Sequence, residues 1–223
     1  MLRPNDSFKP TPLRYAKHMA GTACHVLCST TRRGLTQVLG LMSNKVAKWK
    51  KWLEVVCHDG GNLMLSRDMF LDIQGMISKN PPMQQSDYFH AYLKDTYLAH
   101  VLMMLRKHVK TDNNSISLVG LAEDIIRNPY EITAPLDTTL IQAELSRFKL
   151  CAEKFEQFAD RVIAHNDKRP PAHTPTYNQV HEAIDAMDRL SIQCSLAIGG
   201  NYTETCKPAV QGGWLLIFGA SPL

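Results

Sequence analysis

Residues 138–165 read TTLIQAELSRFKLCAEKFEQFADRVIAH and carry the clearest helical pattern of this 223-residue chain. Their apolar residues recur every three or four positions, which is the period of one face of an α-helix. The series is Ile141, Leu145, Phe148, Ala152, Phe155, Phe158 or Ala159, and Val162. The spacing predicts a long amphipathic helix that Asp137 caps and that runs to about residue 165. Other helices must cover its apolar face, so the pattern indicates a helical bundle.

The same period recurs on both sides of this stretch. The helices it predicts span residues 41–57, 62–78, 86 or 87 to about 110, 117–127 and 176–198. Gly60-Gly61 is expected to end or bend the first pattern, because glycine destabilises a helix. Thr176 and Gln179 have capping-box spacing, and Gly199 is typical of a helix stop. The prediction is an all-α, four-helix up-and-down bundle over residues 41–200, with short accessory helices.

The two ends of the chain differ from this helical part. Residues 1–53 contain ten Lys or Arg and one acidic residue, which gives +9, and the remainder gives −5. We therefore expect residues 1–40 to be a basic, loosely ordered N-terminal arm that contacts a polyanion such as RNA. The alternative is a tail of little consequence. Residues 201–223 include the apolar run 214–218 and are expected to form a C-terminal tail docked on the bundle.

The composition excludes several classes of protein. No run of about 18 apolar residues occurs, so we expect no membrane partner. The six Cys residues lie at 24, 28, 57, 151, 194 and 206, and they lack the spacing of a zinc site. Neither a metal nor a cofactor is expected, since glycine-rich phosphate-binding motifs are also missing from the sequence. The cysteine usage suggests a reducing, cytoplasmic setting.

Polar residues cluster where the long pattern ends. On a continuous α-helix, Arg161 and His165 lie four residues apart on one face. An imidazole transfers protons near neutral pH, and a guanidinium binds phosphate oxygens, so the pair could cleave an RNA phosphodiester without a metal. The alternative is a surface arginine and a histidine that interacts with the last helix carbonyls. We predict His165, Arg161 and Asp167 as catalytic residues and Asn166, Lys168 and Arg169 as contacts to RNA.

Several of these segments together resemble a known family over roughly residues 45–200. They are a Tyr- and Leu-rich helix with Arg106, the run 112–118, the ending 161–168, and Pro175-Thr-Tyr177 before the last helix. Their order is similar to the HEPN superfamily (higher eukaryote and prokaryote nucleotide-binding), in particular its abortive-infection type U branch. The resemblance implies a four-helix bundle that is commonly a homodimer. It also implies a metal-independent endoribonuclease, of a phage-defence or toxin–antitoxin system with a protein antitoxin, or an inactive relative.

The resemblance also assigns residues. It implies that His165 is the family histidine, acting as general acid or base. The family usually places an arginine about six residues earlier, where this chain has Ala159. Two alternatives therefore remain beside a nuclease: a non-catalytic module that binds nucleic acid, nucleotide or a protein, and a purely structural dimerisation bundle. Among other histidines, we expect His100 and His108 to be partly buried packing residues and His181 to be exposed to solvent.

Overall fold

The computed structural model describes residues 32–85, 87–112, 114–132, 138–164 and 174–209. The helices in chain order are α1 (Arg32–Lys79), α2 (Asp87–Val109), α3 (Leu118–Arg127), α4 (Thr138–Phe158) and α5 (Tyr177–Ala197). Short 3₁₀ segments span Pro81–Gln85 and Pro129–Glu131, and a π-helix spans Ala159–Ala164. The described residues contain no strand. Four long helices and the short α3 confirm the predicted all-α bundle.

The predicted stripe of α4 lies at the centre of the core. Ile141, Phe148, Phe155 and Ala159 are fully buried, so Ala159 rather than Phe158 belongs to the stripe. The side chain of Val162 lies outside the described residues. Helix α4 packs mainly against α5 and also against α2 and α3. Burying one large apolar side chain stabilises the fold by about 1.5–3 kcal/mol. The stripe therefore sets how α4 is rotated, and with it the direction in which the chain leaves the helix.

Helix α1 runs without interruption through Gly60 and Gly61. The helix does not end at these glycines, so the prediction of separate helices over 41–57 and 62–78 was wrong. A Cβ atom at position 61 would lie 2.9 Å from the carbonyl oxygen of Cys206 and 2.9 Å from Cδ of Pro208. A Cβ at position 60 would lie 3.5 Å from the Met187 side chain. Gly61 therefore admits the chain segment after α5, whereas a Cβ at position 60 would make an ordinary van der Waals contact. The tertiary packing at Gly61 offsets the low helix propensity of glycine.

Both ends of α5 form as the sequence predicts. The Gln179 backbone N–H donates to Thr176 Oγ1 (3.4 Å), and the Thr176 N–H donates to Gln179 Oε1 (3.0 Å), which completes the capping box. Gly199 has a φ of 61°, a conformation that glycine adopts without the penalty of a Cβ atom. The start of α5 is therefore a fixed point next to the segment 165–173.

The structure covers part of the predicted arm and part of the predicted tail. Helix α1 begins at Arg32, so residues 32–40 of the arm are helical, and residues 1–31 lie outside the described residues. Residues 201–209 of the tail lie along α1 and α5, whereas the apolar run 214–218 lies outside the description. Among the helices described, none is both long and apolar enough to cross a membrane.

Candidate functional site at the junction of α4 and α5

The predicted site residues lie where α4 leads into α5. His165, Asn166, Asp167, Lys168 and Arg169 fall outside the described residues, and so do the His173 side chain and the capping residue predicted at position 137. The backbone of residue 161 is described as part of the π-helix, but its side chain is not. The structure instead describes both flanks of the segment 165–173, the exit of α4 and the entry of α5. We call these two flanks, with the segment between them, the junction.

At the exit, α4 changes from an α-helix to a π-helix over Ala159–Ala164. A π-helix has i→i+5 hydrogen bonds and more residues per turn, and short π segments occur often at functional sites. The α-helix predicted to run to about residue 165 therefore ends at Phe158, and a π-helix continues to Ala164. The shared face of residues 161 and 165 stays a prediction, because residue 165 and the side chain of residue 161 lie outside the described residues.

Ala159 is fully buried in the core. It occupies the position at which the resemblance expects an arginine. A guanidinium at this place would be surrounded by apolar packing, where burying an unpaired charge is strongly unfavourable. The backbone at 159 therefore does not present a cation to the junction.

A guanidinium does reach the exit, but from α2. Arg106 Nε lies 2.5 Å from Asp160 Oδ1, and the two side chains are 23% and 35% exposed. The two atoms form an ion pair without the alignment of a hydrogen bond. The pair ties the first turn of the π-helix to α2. Arg106 could not be assigned to the site from the sequence, because 54 positions separate it from Asp160 and no local pattern links the two.

The entry of α5 rests on an aromatic cluster. The rings of Phe70 and Tyr97 are stacked, with centroids 4.1 Å apart and an interplanar angle of 8°. Tyr177, the first residue of α5, lies 5.1 Å from Phe70 and 6.4 Å from Tyr97. Burial raises the pKa of both tyrosines, so their hydroxyls stay protonated. This cluster fixes the start of α5 against α1 and α2.

His181 lies one turn into α5, beside this cluster. Its ring is 6.1 Å from Tyr97 in an edge-on arrangement, and its Nε2 atom is buried without a hydrogen-bond partner among the described residues. Burial, followed by the nearby Arg67, lowers its pKa, so the imidazole is neutral at neutral pH. Arg67 itself pairs with Asp185 at 2.6 Å. The expectation that His181 is exposed was therefore wrong, since it is partly buried.

A second polar cluster lies inside the bundle, close to Arg106 in sequence. His108 is fully buried, with Nε2 3.1 Å from Asp59 Oδ2, and Lys107 Nζ lies 2.6 Å from the same oxygen. The hydrogen bond from His108 lowers the pKa of Asp59 to about 2, with help from Lys107 and against the effect of burial. The prediction of His108 as a packing residue is confirmed, although it is more deeply buried than expected.

The described side chains give no support for a metal site. Among them, no group of three His, Cys, Asp or Glu residues is arranged to hold a metal ion. A cavity of about 600 Å³ opens between α1, the loop after α2, and α3, but it is lined by none of the junction residues. Its wall mixes Lys48 and Arg127 with Asp112, Glu123 and Asp124, so it does not favour an anion.

Comparison with known proteins gives one match. The family model HEPN_AbiU2, described as AbiU2, matches residues 40–202, which is well over half of the chain. No curated protein matches, and no solved structure matches. The matched range contains all five helices except the first turns of α1, and it contains the junction.

Proposed function

The chain belongs to the AbiU2 family of HEPN proteins, and from this premise we propose that it is an abortive-infection module that acts on RNA at the junction of α4 and α5. The observation that carries the proposal is the π-helix at the exit of α4, tied to α2 by Arg106 and Asp160. This departure from regular helix lies immediately before the segment that contains His165. Local irregularity held in place by tertiary contacts is frequent at functional sites.

The proposed reaction is metal-independent cleavage of an RNA phosphodiester. The ribose 2′-oxygen attacks the adjacent phosphorus, and the bond from phosphorus to the 5′-oxygen breaks. His165 removes the 2′-hydroxyl proton or protonates the leaving 5′-oxygen. Arg161 stabilises the negative charge on the phosphate oxygens, and Asp167 orients the imidazole. The products are a 2′,3′-cyclic phosphate and a 5′-hydroxyl.

Cations beyond the catalytic set bind the RNA in this proposal. Lys168 and Arg169 lie three and four residues after His165. Asn166 offers an amide to the RNA backbone or a base. The basic residues of the N-terminal arm add a polyanion contact that depends on salt. We further propose that two copies form a homodimer that brings two His165 residues to one groove, with a protein antitoxin as the regulating partner.

A second candidate function is a non-catalytic module that binds RNA, a nucleotide or a protein through the same junction. The specific observation that favours it is the full burial of Ala159. Because no guanidinium can emerge from that position, catalysis requires another one, either from Arg161 or from Arg106. If neither cation reaches the scissile phosphate, the junction binds its ligand without cleaving it.

One experiment separates the two candidates. Purified protein is incubated with structured RNA in EDTA, and the product ends are analysed for cyclic phosphate. The nuclease proposal predicts cleavage that falls by at least about 100-fold in the His165→Ala variant, which is the scale of a lost general acid or base. His100→Ala is the matched control, because His100 is an exposed residue of α2, and the prediction that it is partly buried was wrong.

The other outcomes are equally informative. Cleavage retained by the purified His165→Ala variant would contradict the mechanism. Binding that weakens with salt, without any cleavage by the wild-type protein, would support the non-catalytic module. If the wild-type protein neither binds nor cleaves RNA, the result would contradict the nuclease and the RNA-binding form of the second candidate.

A further inference from the structure

Two cysteines that are far apart in the sequence lie side by side in the fold. The Sγ atom of Cys206 donates a hydrogen bond to Sγ of Cys57 over 2.7 Å, although 149 positions separate them. Both side chains are buried: Cys57 in the middle of α1, and Cys206 in the segment 201–209 after α5. A disulfide bond is about 2.05 Å long, so the sulfurs need to approach by less than about 1 Å to be joined.

Contacts independent of the thiols hold Cys206 in this position. Asp188 of α5 accepts hydrogen bonds from the Cys206 backbone N–H at 2.8 Å and from Thr205 Oγ1 at 3.0 Å. Lys207 forms an ion pair with Asp68 of α1. Gly61 lets the carbonyl of Cys206 approach α1 closely. The segment is thus placed so that its thiol faces Cys57 before any bond forms.

We propose that Cys57 and Cys206 form a reversible disulfide that fastens the segment 201–209 to α1 when the protein meets a hydroperoxide. In the first step a thiolate sulfur attacks hydrogen peroxide, which breaks the O–O bond, releases water and leaves a sulfenic acid. In the second step the other thiol attacks this sulfur, the Sγ–Sγ bond forms, and a second water leaves. Two thiols are oxidised by two electrons, and the peroxide is reduced. A small dithiol reductant reverses the reaction by exchange.

The surroundings of the pair indicate which sulfur reacts first and how fast. Cys206 is 6% exposed and Cys57 is 1% exposed, so the peroxide meets Cys206 more readily. The hydrogen bond to Cys57, together with burial, raises the pKa of the Cys206 thiol above its ordinary value. Thiolate is therefore scarce at neutral pH, and the pair is expected to respond slowly, to sustained oxidation.

Cys194 of α5 is the competing thiol. It is fully buried, and burial raises its pKa to about 12, with a smaller contribution from Cys206. A thiol with so high a pKa forms little thiolate and is a poor nucleophile at neutral pH. The hydrogen-bonded geometry favours Cys57 as the partner. Cys151 of α4 is also buried and serves as a control for general thiol oxidation.

The test uses the full-length protein, reduced and then freed of reductant. It is treated with hydrogen peroxide, its remaining thiols are blocked with N-ethylmaleimide under denaturing conditions, and its peptides are mapped by mass spectrometry. We expect a linked peptide pair that joins Cys57 to Cys206 and disappears after dithiothreitol. The oxidised protein should also migrate faster on a non-reducing gel, because the bond closes a loop of about 150 residues.

Variants and alternative products decide the outcome. Cys57→Ser and Cys206→Ser should each lose the linked pair and the gel shift, whereas Cys151→Ser should keep both. A link between Cys206 and Cys194, or unmodified Cys57 and Cys206 at peroxide doses that oxidise other thiols of the chain, would overturn the proposal. The wild-type peptide map does not depend on whether a variant folds, and far-UV circular dichroism checks each variant.

Discussion

Three consecutive residues of α2 take part in two ion-paired clusters that differ in burial and in place. Lys107 and His108 contact Asp59, which is 12% exposed; the His108 side chain is fully buried, whereas the Lys107 side chain is 44% exposed. Arg106 contacts Asp160 at the exit of α4, where both side chains remain partly exposed. The first cluster holds α2 against α1. The second holds α2 against the π-helix next to the predicted RNA site.

The difference in burial predicts different roles for the two contacts: the one at Asp59 stabilises the fold, and the one at Asp160 positions the exit of α4. A buried charge that loses its partner destabilises the fold strongly, because it cannot be hydrated. A partly exposed ion pair contributes little to stability, because water solvates each partner once the pair is broken. Changes at Asp59 should therefore lower the stability of the fold. Changes at Arg106 should mainly alter the RNA binding or cleavage proposed for the junction.

The largest effect is expected beside the junction, from Ala159→Arg. The change places a long cation at a fully buried position of the exit. Overpacking and the burial of an unpaired charge together should lower the free energy of unfolding on the order of 5 kcal/mol. Urea unfolding measures this change. Ala143→Arg on the exposed face of α4 is the control and should be nearly neutral. Equal stability of the two variants would show that position 159 is open to solvent.

The next effect tests the interior cluster through Asp59→Ala. The change removes the hydrogen-bond acceptor of buried His108 Nε2 and should destabilise the protein by about 3 kcal/mol. Asp185→Ala is the matched control, since this aspartate pairs with Arg67 but is 50% exposed. It should lose less than about 1 kcal/mol. A loss of the same size in both variants would contradict the distinction drawn between buried and exposed pairs.

The interior cluster also predicts a dependence on pH. The pKa of Asp59 falls from 3.8 to about 2 in the folded protein, so the unfolded chain takes up this proton at higher pH. The stabilisation is complete above about pH 4 and is lost as pH falls through 2, with a total of about 2 kcal/mol. Urea unfolding between pH 5 and pH 2 should show this loss in the wild type. The Asp59→Asn variant should lack that part of the slope, and an identical slope would refute the assignment.

The smallest effect on stability is expected from Arg106→Ala. Because the pair with Asp160 is partly exposed, the change should lower the free energy of unfolding by about 1 kcal/mol or less. The loss of the contact should nevertheless shift the exit by about 1 Å and reduce cleavage by about tenfold to 100-fold. Arg127→Ala, which removes an exposed pair with Glu123, is the control and should leave cleavage unchanged. Equal cleavage by both variants would remove Arg106 from the site.

The sequence predicted those parts of the fold that depend on local chemistry. The stripe of α4 follows from the 3.6-residue period, and both ends of α5 follow from residues adjacent in the chain, Thr176 with Gln179 and then Gly199. Each of these signals lies within one or two helical turns. The all-α bundle and the family relationship could be predicted for the same reason, since they depend on the order of such segments.

The features that the sequence did not predict are tertiary. Helix α1 continues through Gly60-Gly61 because segment 201–209 packs there, more than 140 positions away. The π-helix after Phe158 has no proline or glycine to mark it, and its tie to Arg106 joins two helices. The prediction of a regular α-helix to about residue 165 was therefore wrong beyond Phe158.

The claim that RNA binds at the junction is tested most directly by the salt dependence of RNA affinity in two double variants. Lys168→Ala with Arg169→Ala should weaken binding and reduce the slope of log affinity against log salt by about 1 to 2. Lys79→Ala with Lys94→Ala removes the same charge from exposed positions on α1 and α2, and should leave the slope unchanged. An equal reduction in both variants, or a change in the second variant alone, would contradict the location of the site.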